Sequence, residues 1–159
     1  MKKIRTLATI GLIGCASTFG NNYQELPSVS VSQRVGNGFI YLYADKEIEF
    51  PVCIEGTFRD NTYFLERLVI PTIYTATETN SSFDINTCYS ENYLGMAHAH
   101  PKEVPYPSPA DINRFVNDSR ARLEIIVSDV KLTELEDSVR MQVITKESLE
   151  AQSRNDTKR

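Results

Sequence analysis

Nothing in this chain offers a grip on nucleic acid. It has no run of lysine and arginine and no basic stretch interleaved with aromatics, and 17 Lys+Arg stand against 21 Asp+Glu for a formal net charge of −4. Phosphate neutralisation needs clustered cations, so a nucleic-acid partner is excluded. Long apolar runs are also lacking: Leu7 to Gly14 is far too short to cross a bilayer. There is no H-E-x-x-H, which excludes a thermolysin-like site, and neither the H-x-E nor the P-C-x-x-C of zinc deaminases. Cysteine is scarce, at three residues with no C-x-x-C pair, so a cysteine zinc site is not expected. Histidine is scarcer still: the chain has two, His98 and His100, and no internal repeat is visible.

The length suits one domain with one core. At the start, Lys2, Lys3 and Arg5 precede the short apolar run, which ends at Leu12-Ile13-Gly14-Cys15. That ending resembles a bacterial lipobox. The resemblance implies cleavage before Cys15, a diacylglycerol on its sulfur, and a lipid anchor in the bacterial cell envelope. The expected organisation is then a signal peptide over 1–14, a polar tether over 15–27, a domain over 28–146 and a polar tail over 147–159. A plain secretory signal, or a cytoplasmic N-terminus with a chance cysteine, is the alternative. Removing residues 1–14 takes three basic residues away, leaving 14 Lys+Arg against 21 Asp+Glu, a net charge of −7. Two readings stay open for Cys53 and Cys88: one disulfide in an oxidising compartment, or two small buried thiols.

Along the domain, Ser28 to Val35 alternates weakly as a first strand, and Gly38 to Asp45 reads as a strand or a short helix. From Glu47 to Gly56 the alternation is better, with Ile48, Phe50, Val52 and Ile54 on one face and Glu47, Glu49, Cys53 and Glu55 on the other. Pro51 places the start of that strand near itself. Asp60-Asn61 marks a turn and Thr62 to Ile70 the return strand of a hairpin. Thr75 to Asn92 is rich in Thr, Ser and Asn and reads mainly as loop. Tyr93 to His100 is the next strand, with Leu94, Met96, His98 and His100 expected on one face and Gly95, Ala97 and Ala99 keeping the other small. Ser108 predicts a helix start, with Pro109 at its first position, Asp111 three after the cap, and Ile112, Phe115 and Val116 as its apolar stripe. Leu123 to Val127 and Val139 to Thr145 are two more strands, and the tail from Glu147 is expected to fray.

The chemistry gathers at His98-Ala99-His100-Pro101 and Ser108-Pro109-Ala110-Asp111. A period of two sets both imidazoles side by side, and a proline-stiffened loop returns the chain to them. A carboxylate in the first turn of a helix can both cap and ligate. Two histidines and an aspartate would hold one zinc ion and leave its fourth position for water, the mark of a catalytic rather than a structural site. A general base and an oxyanion donor would complete a hydrolase. The plainer reading is a capping box beside two unrelated histidines.

His-x-His, then seven residues beginning with Pro, then Ser, two residues and Asp, reproduces the JAMM motif without insertion or deletion, and the chain resembles the JAB/MPN metalloproteases over about Val35 to Thr145. The resemblance implies the α/β MPN fold, a curved mixed sheet flanked by helices, with one zinc per chain on His98, His100 and Asp111. It assigns Glu49, seven residues before Gly56, as general base and the Ser108 hydroxyl to the oxyanion. The family often has Gly three after the Glu where this chain has Val52, and Glu47 and Glu55 lie nearby as alternatives. The implied activity is hydrolysis of a peptide or isopeptide bond, with a cell-envelope substrate if the chain is exported and a cytoplasmic one if it is not. The competing class is a non-catalytic, membrane-anchored MPN scaffold.

Overall fold

The computed structural model describes residues 26–44, 50–78, 80–100, 106–133 and 137–156. In chain order these form β1 (Ser28–Val31), α1 (Gln33–Tyr43), β2 (Val52–Arg59), β3 (Thr62–Val69), β4 (Thr72–Ala76), β5 (Ser81–Asp84), a 3-10 turn (Ile85–Cys88), β6 (Tyr93–Ala99), α2 (Pro109–Asn117), β7 (Leu123–Lys131), β8 (Ser138–Thr145) and α3 (Lys146–Asp156). Six strands make one mixed sheet in the order β1-β3-β2-β6-β7-β8, and β4 and β5 pair apart from it. The α/β class and the mixed sheet flanked by helices are those expected from the sequence. Cys15, Glu47, Glu49 and the loop from Pro101 to Pro105 lie outside the described residues.

Local chemistry accounts for most of the boundaries. Asp60 and Asn61 take positive φ (50° and 53°), which a two-residue hairpin turn requires, and β2 folds back on β3 there. Pro51 immediately precedes β2, as a residue that cannot donate to the ladder should. The ambiguous segment after Gly38 is helix: the Ser32 side chain accepts from Val35 N at 3.3 Å, and Val35, Phe39, Ile40 and Tyr43 then bury along one face. That face packs in one apolar cluster with Ile54, Ala97 and Ala99, and the Tyr43 hydroxyl reaches the Ala97 carbonyl at 3.3 Å.

A second cluster, with Cys53, Cys88, Tyr93, Met96, Phe115, Ile126 and Ile144, holds α2. Of its predicted stripe, Phe115 is buried and Ile112 packs at the cluster's edge, but Val116 is 56% exposed. Leu94 also departs from expectation. Ile54 pairs with Gly95 and Glu55 with Tyr93, so Leu94 is an extra residue in β6 and the alternation breaks there. Leu94 therefore joins the α1 cluster, while Tyr93 joins Met96. Gly95 permits the irregularity: its φ is 153°, and a Cβ would lie 1.8 Å from the Leu123 carbonyl oxygen of β7.

Two stretches read as irregular are ordered elements. Between Thr75 and Asn92 lie the end of β4, all of β5 and the 3-10 turn, with Ile73 opposite Phe83 and the bend closed by Thr77 N donating to the Asn80 carbonyl at 2.8 Å. Polar residues predominate because most of this hairpin faces solvent, so composition alone suggested a loop. The expected frayed tail is α3. Ser148 N donates to Thr145 Oγ1 at 3.1 Å, Ser148 Oγ donates to the Thr145 carbonyl at 2.7 Å, and the Tyr63 hydroxyl meets Glu147 at 3.2 Å. Capping and a tertiary contact outweigh the polarity of that segment.

Cys53 of β2 and Cys88 of the 3-10 turn are disulfide-bonded, with Cα atoms 5.4 Å apart across a separation of 35 residues. Closing a loop of that length stabilises the fold by about 3–4 kcal/mol through the unfolded chain. Reduction, or replacement of both cysteines by alanine, is accordingly expected to lower the urea midpoint by that order of stability. An unchanged midpoint would contradict it.

Candidate metal centre

β6 delivers the histidines. His98 pairs with Ile126 across the parallel β6–β7 ladder, and His100 N, just past the strand, donates to the Val127 carbonyl at 3.2 Å. Both side chains are nearly closed to solvent, at 4% and 8% exposure. Their rings tilt by 48° with centroids 4.9 Å apart, bringing the two Nε2 atoms to 3.0 Å.

Helix α2 delivers the carboxylate through a full capping box. Ser108 Oγ accepts from Asp111 N at 3.2 Å, and Asp111 Oδ2 accepts from Ser108 N at 2.8 Å and from Ser108 Oγ at 2.7 Å. The same carboxylate faces the imidazoles: Oδ1 lies 3.3 Å from His98 Nε2 and Oδ2 lies 3.2 Å from His100 Nε2. A carboxylate has enough lone pairs to cap and to ligate together.

These distances bear on a metal directly. Tetrahedral zinc with bonds of about 2.0–2.1 Å needs ligand atoms about 3.3–3.4 Å apart. The two Nε2 atoms lie 3.0 Å apart, Asp111 Oδ2 lies 3.2 Å from His100 and Asp111 Oδ1 3.3 Å from His98, and one donor atom from each residue can be taken so that all three lie within 4.8 Å of one another. Imidazole nitrogen and carboxylate oxygen are zinc's ordinary donors, and three of them leave one position open. Among the described residues this is the one group of three His, Cys, Asp or Glu side chains gathered closely enough to hold an ion. The donor types and their closeness fit a zinc ion with one position left open.

The electrostatics suit a cation as well. Burial opposes charging of His98, but hydrogen bonding and charge from Asp111 and Glu124 outweigh it, and its pKa rises to about 9. Burial likewise disfavours the Asp111 anion, yet His100, His98 and Ser108 together hold its carboxyl well below the usual range. The Asp111 and Glu124 carboxylates thus bring negative charge to both edges of the His98 ring.

Of the other expected residues, Ser108 is adjacent to the centre but its hydroxyl is engaged by Asp111. Glu55, one alternative base, is committed elsewhere: Arg67 Nε donates to it at 2.6 Å and Ser90 Oγ at 2.7 Å. Sequence reasoning overlooked Glu124 and Arg114. Glu124 Oε1 sits 3.2 Å from His98 Nδ1 and is ion-paired with Arg114, whose guanidinium also comes within 3.7 Å of Asp111 Oδ1. An isolated acid inside the apolar run Leu123–Val127 was the available signal.

No protein-family model and no curated protein matches the chain. Among solved structures it is similar to a JAB1/MPN domain protein from Archaeoglobus fulgidus, at 17% identity and a TM-score of 0.42 over 63% of this chain and 76% of that one. It is also similar to a structure described as a JAMM metalloprotease-like zinc site in the proteasome and signalosome, at 19% identity and a TM-score of 0.38 over 65% of this chain and 76% of the other. Both overlaps are partial and remote in sequence.

Proposed function

We propose that this chain is a zinc-dependent hydrolase of amide bonds, a peptidase or isopeptidase with one zinc held by His98, His100 and Asp111. The observation that carries the reading is the convergence of His98 Nε2, His100 Nε2 and the Asp111 carboxylate, with one donor atom from each residue within 4.8 Å of the others, brought together by one strand and one helix start. When bound, the metal supplies a Lewis acid that polarises the scissile carbonyl and makes water acidic enough to attack at neutral pH. Glu49, proposed from its spacing to Gly56, takes the proton from that water and passes it to the leaving amine. Ser108 contributes a hydroxyl that donates to Asp111 Oδ2; stabilising an oxyanion requires redirecting that donor to the substrate.

The compartment proposed is the bacterial cell envelope, with the chain anchored through lipid on Cys15 and acting on a peptide or isopeptide bond found there. The Cys53–Cys88 disulfide supports this placement, since such bonds persist in oxidising compartments.

Asp111→Ala separates the hydrolase from a capping box beside idle histidines. A pure cap costs about 1 kcal/mol of stability when removed and leaves metal content unchanged. The expected result is loss of stoichiometric zinc and of peptide hydrolysis together. Retained zinc and activity in the variant would leave Asp111 a cap and remove the reading.

A further inference from the structure

Glu124 is a buried acid with a specific neighbour. Its side chain is 3% exposed, and it stands beside Met96 in the parallel β6–β7 ladder, on the face that His98 shares two residues further along. A carboxylate removed from water this completely costs several kcal/mol unless its surroundings compensate. Two groups do so. Arg114, one turn along α2 from Asp111, closes an ion pair on Oε1, and the same Oε1 lies 3.2 Å from His98 Nδ1.

The Nδ1 edge of His98 has no other partner. The nitrogen is buried, and Glu124 Oε1 lies 3.2 Å from it, at ion-pair distance but not as a well-formed hydrogen bond. Buried N–H groups rarely go unpaired. A carboxylate that close favours a proton on Nδ1, and that tautomer leaves the Nε2 lone pair facing His100 and Asp111. His98 has little freedom to turn away, because Met96 and Ile126 of the same face are buried beside it.

We propose that Glu124 is the positioning residue of the metal centre. Held by Arg114, it fixes the ring orientation and tautomer of His98 so that Nε2 is the atom presented to zinc. The proposal rests on the zinc reading above. Helix α2 then serves the site twice, with Asp111 as a ligand and Arg114 as the clamp on the partner of a second ligand. Outer carboxylates of this kind commonly raise the basicity and affinity of the imidazoles they hold.

The test uses the full chain and a chromogenic zinc chelator as competitor. Glu124→Ala is expected to weaken zinc binding about 10- to 100-fold. Glu124→Gln, whose amide oxygen still accepts from an Nδ1–H, recovers most of that loss. A merely structural role would lower thermal stability in both variants without moving zinc affinity, and that pattern overturns the proposal. Long-range nitrogen–proton NMR of the zinc-loaded wild type needs no variant to fold. His98 should carry its proton on Nδ1 and its metal on Nε2, and coordination through Nδ1 would overturn the proposal directly. Absence of zinc from the wild type would sink the hydrolase reading and this one with it. Zinc bound equally well by wild type and Glu124→Ala would sink this one alone.

Discussion

His98→Ala is expected to reduce zinc from one per chain to none at micromolar concentrations, with affinity falling by more than the roughly 100-fold that loss of an outer partner costs. The imidazole supplies one of three donors and is the one linked to both carboxylates, Asp111 at 3.3 Å and Glu124 at 3.2 Å. Metal content by mass spectrometry on purified protein, beside the wild type, reads the effect. A chelator titration gives its size. The substitution also leaves Glu124 facing a cavity, with Arg114 as its remaining ion-pair partner. Some loss of thermal stability is therefore expected in addition, and zinc must be compared well below the unfolding midpoint. Zinc retained at full stoichiometry would mean the metal sits elsewhere, and the group of His98, His100 and Asp111 would have no metal role.

Glu49→Gln should have the largest effect on rate. A general base contributes about 10²- to 10⁴-fold, so kcat should fall by that factor while zinc stays at one per chain. Retained metal is essential to the interpretation, because it separates loss of proton transfer from loss of the centre. Glu55→Gln is the informative companion: its carboxylate is held by Arg67 and Ser90, so the cost should appear in stability and leave kcat close to wild type. If Glu47→Gln abolished turnover and Glu49→Gln did not, the base would be Glu47. A zinc-loaded wild type inert towards peptide libraries would favour the scaffold, and Glu49→Gln would then change nothing measurable.

The part of the site legible in the sequence is the part built from neighbours along the chain. The capping box at Ser108 and Asp111 follows from four consecutive residues, and the side-by-side imidazoles from a strand's period of two. The Asp60-Asn61 hairpin and the start of β2 after Pro51 are likewise local events of backbone chemistry. Where one short segment could satisfy two patterns, sequence left the choice open. The stretch after Gly38 became helix because Ser32 caps it and α1 found an apolar face to cover.

Tertiary structure decided whatever depends on which strands lie together. Pairing of Cys53 with Cys88 required β2 and the 3-10 turn to come within 5.4 Å, a distance that spacing along the chain does not contain. The face taken by Leu94 was decided by the irregular pairing at Gly95, which only contact with β2 and β7 makes visible. Glu124 came to stand beside His98 because the parallel ladder sets Met96 opposite it and brings His98 Nδ1 within 3.2 Å. The candidate ligands were readable because caps and periodicity act over a few residues; the groups packed against them were not, because register between strands distant in sequence is settled only when the sheet assembles.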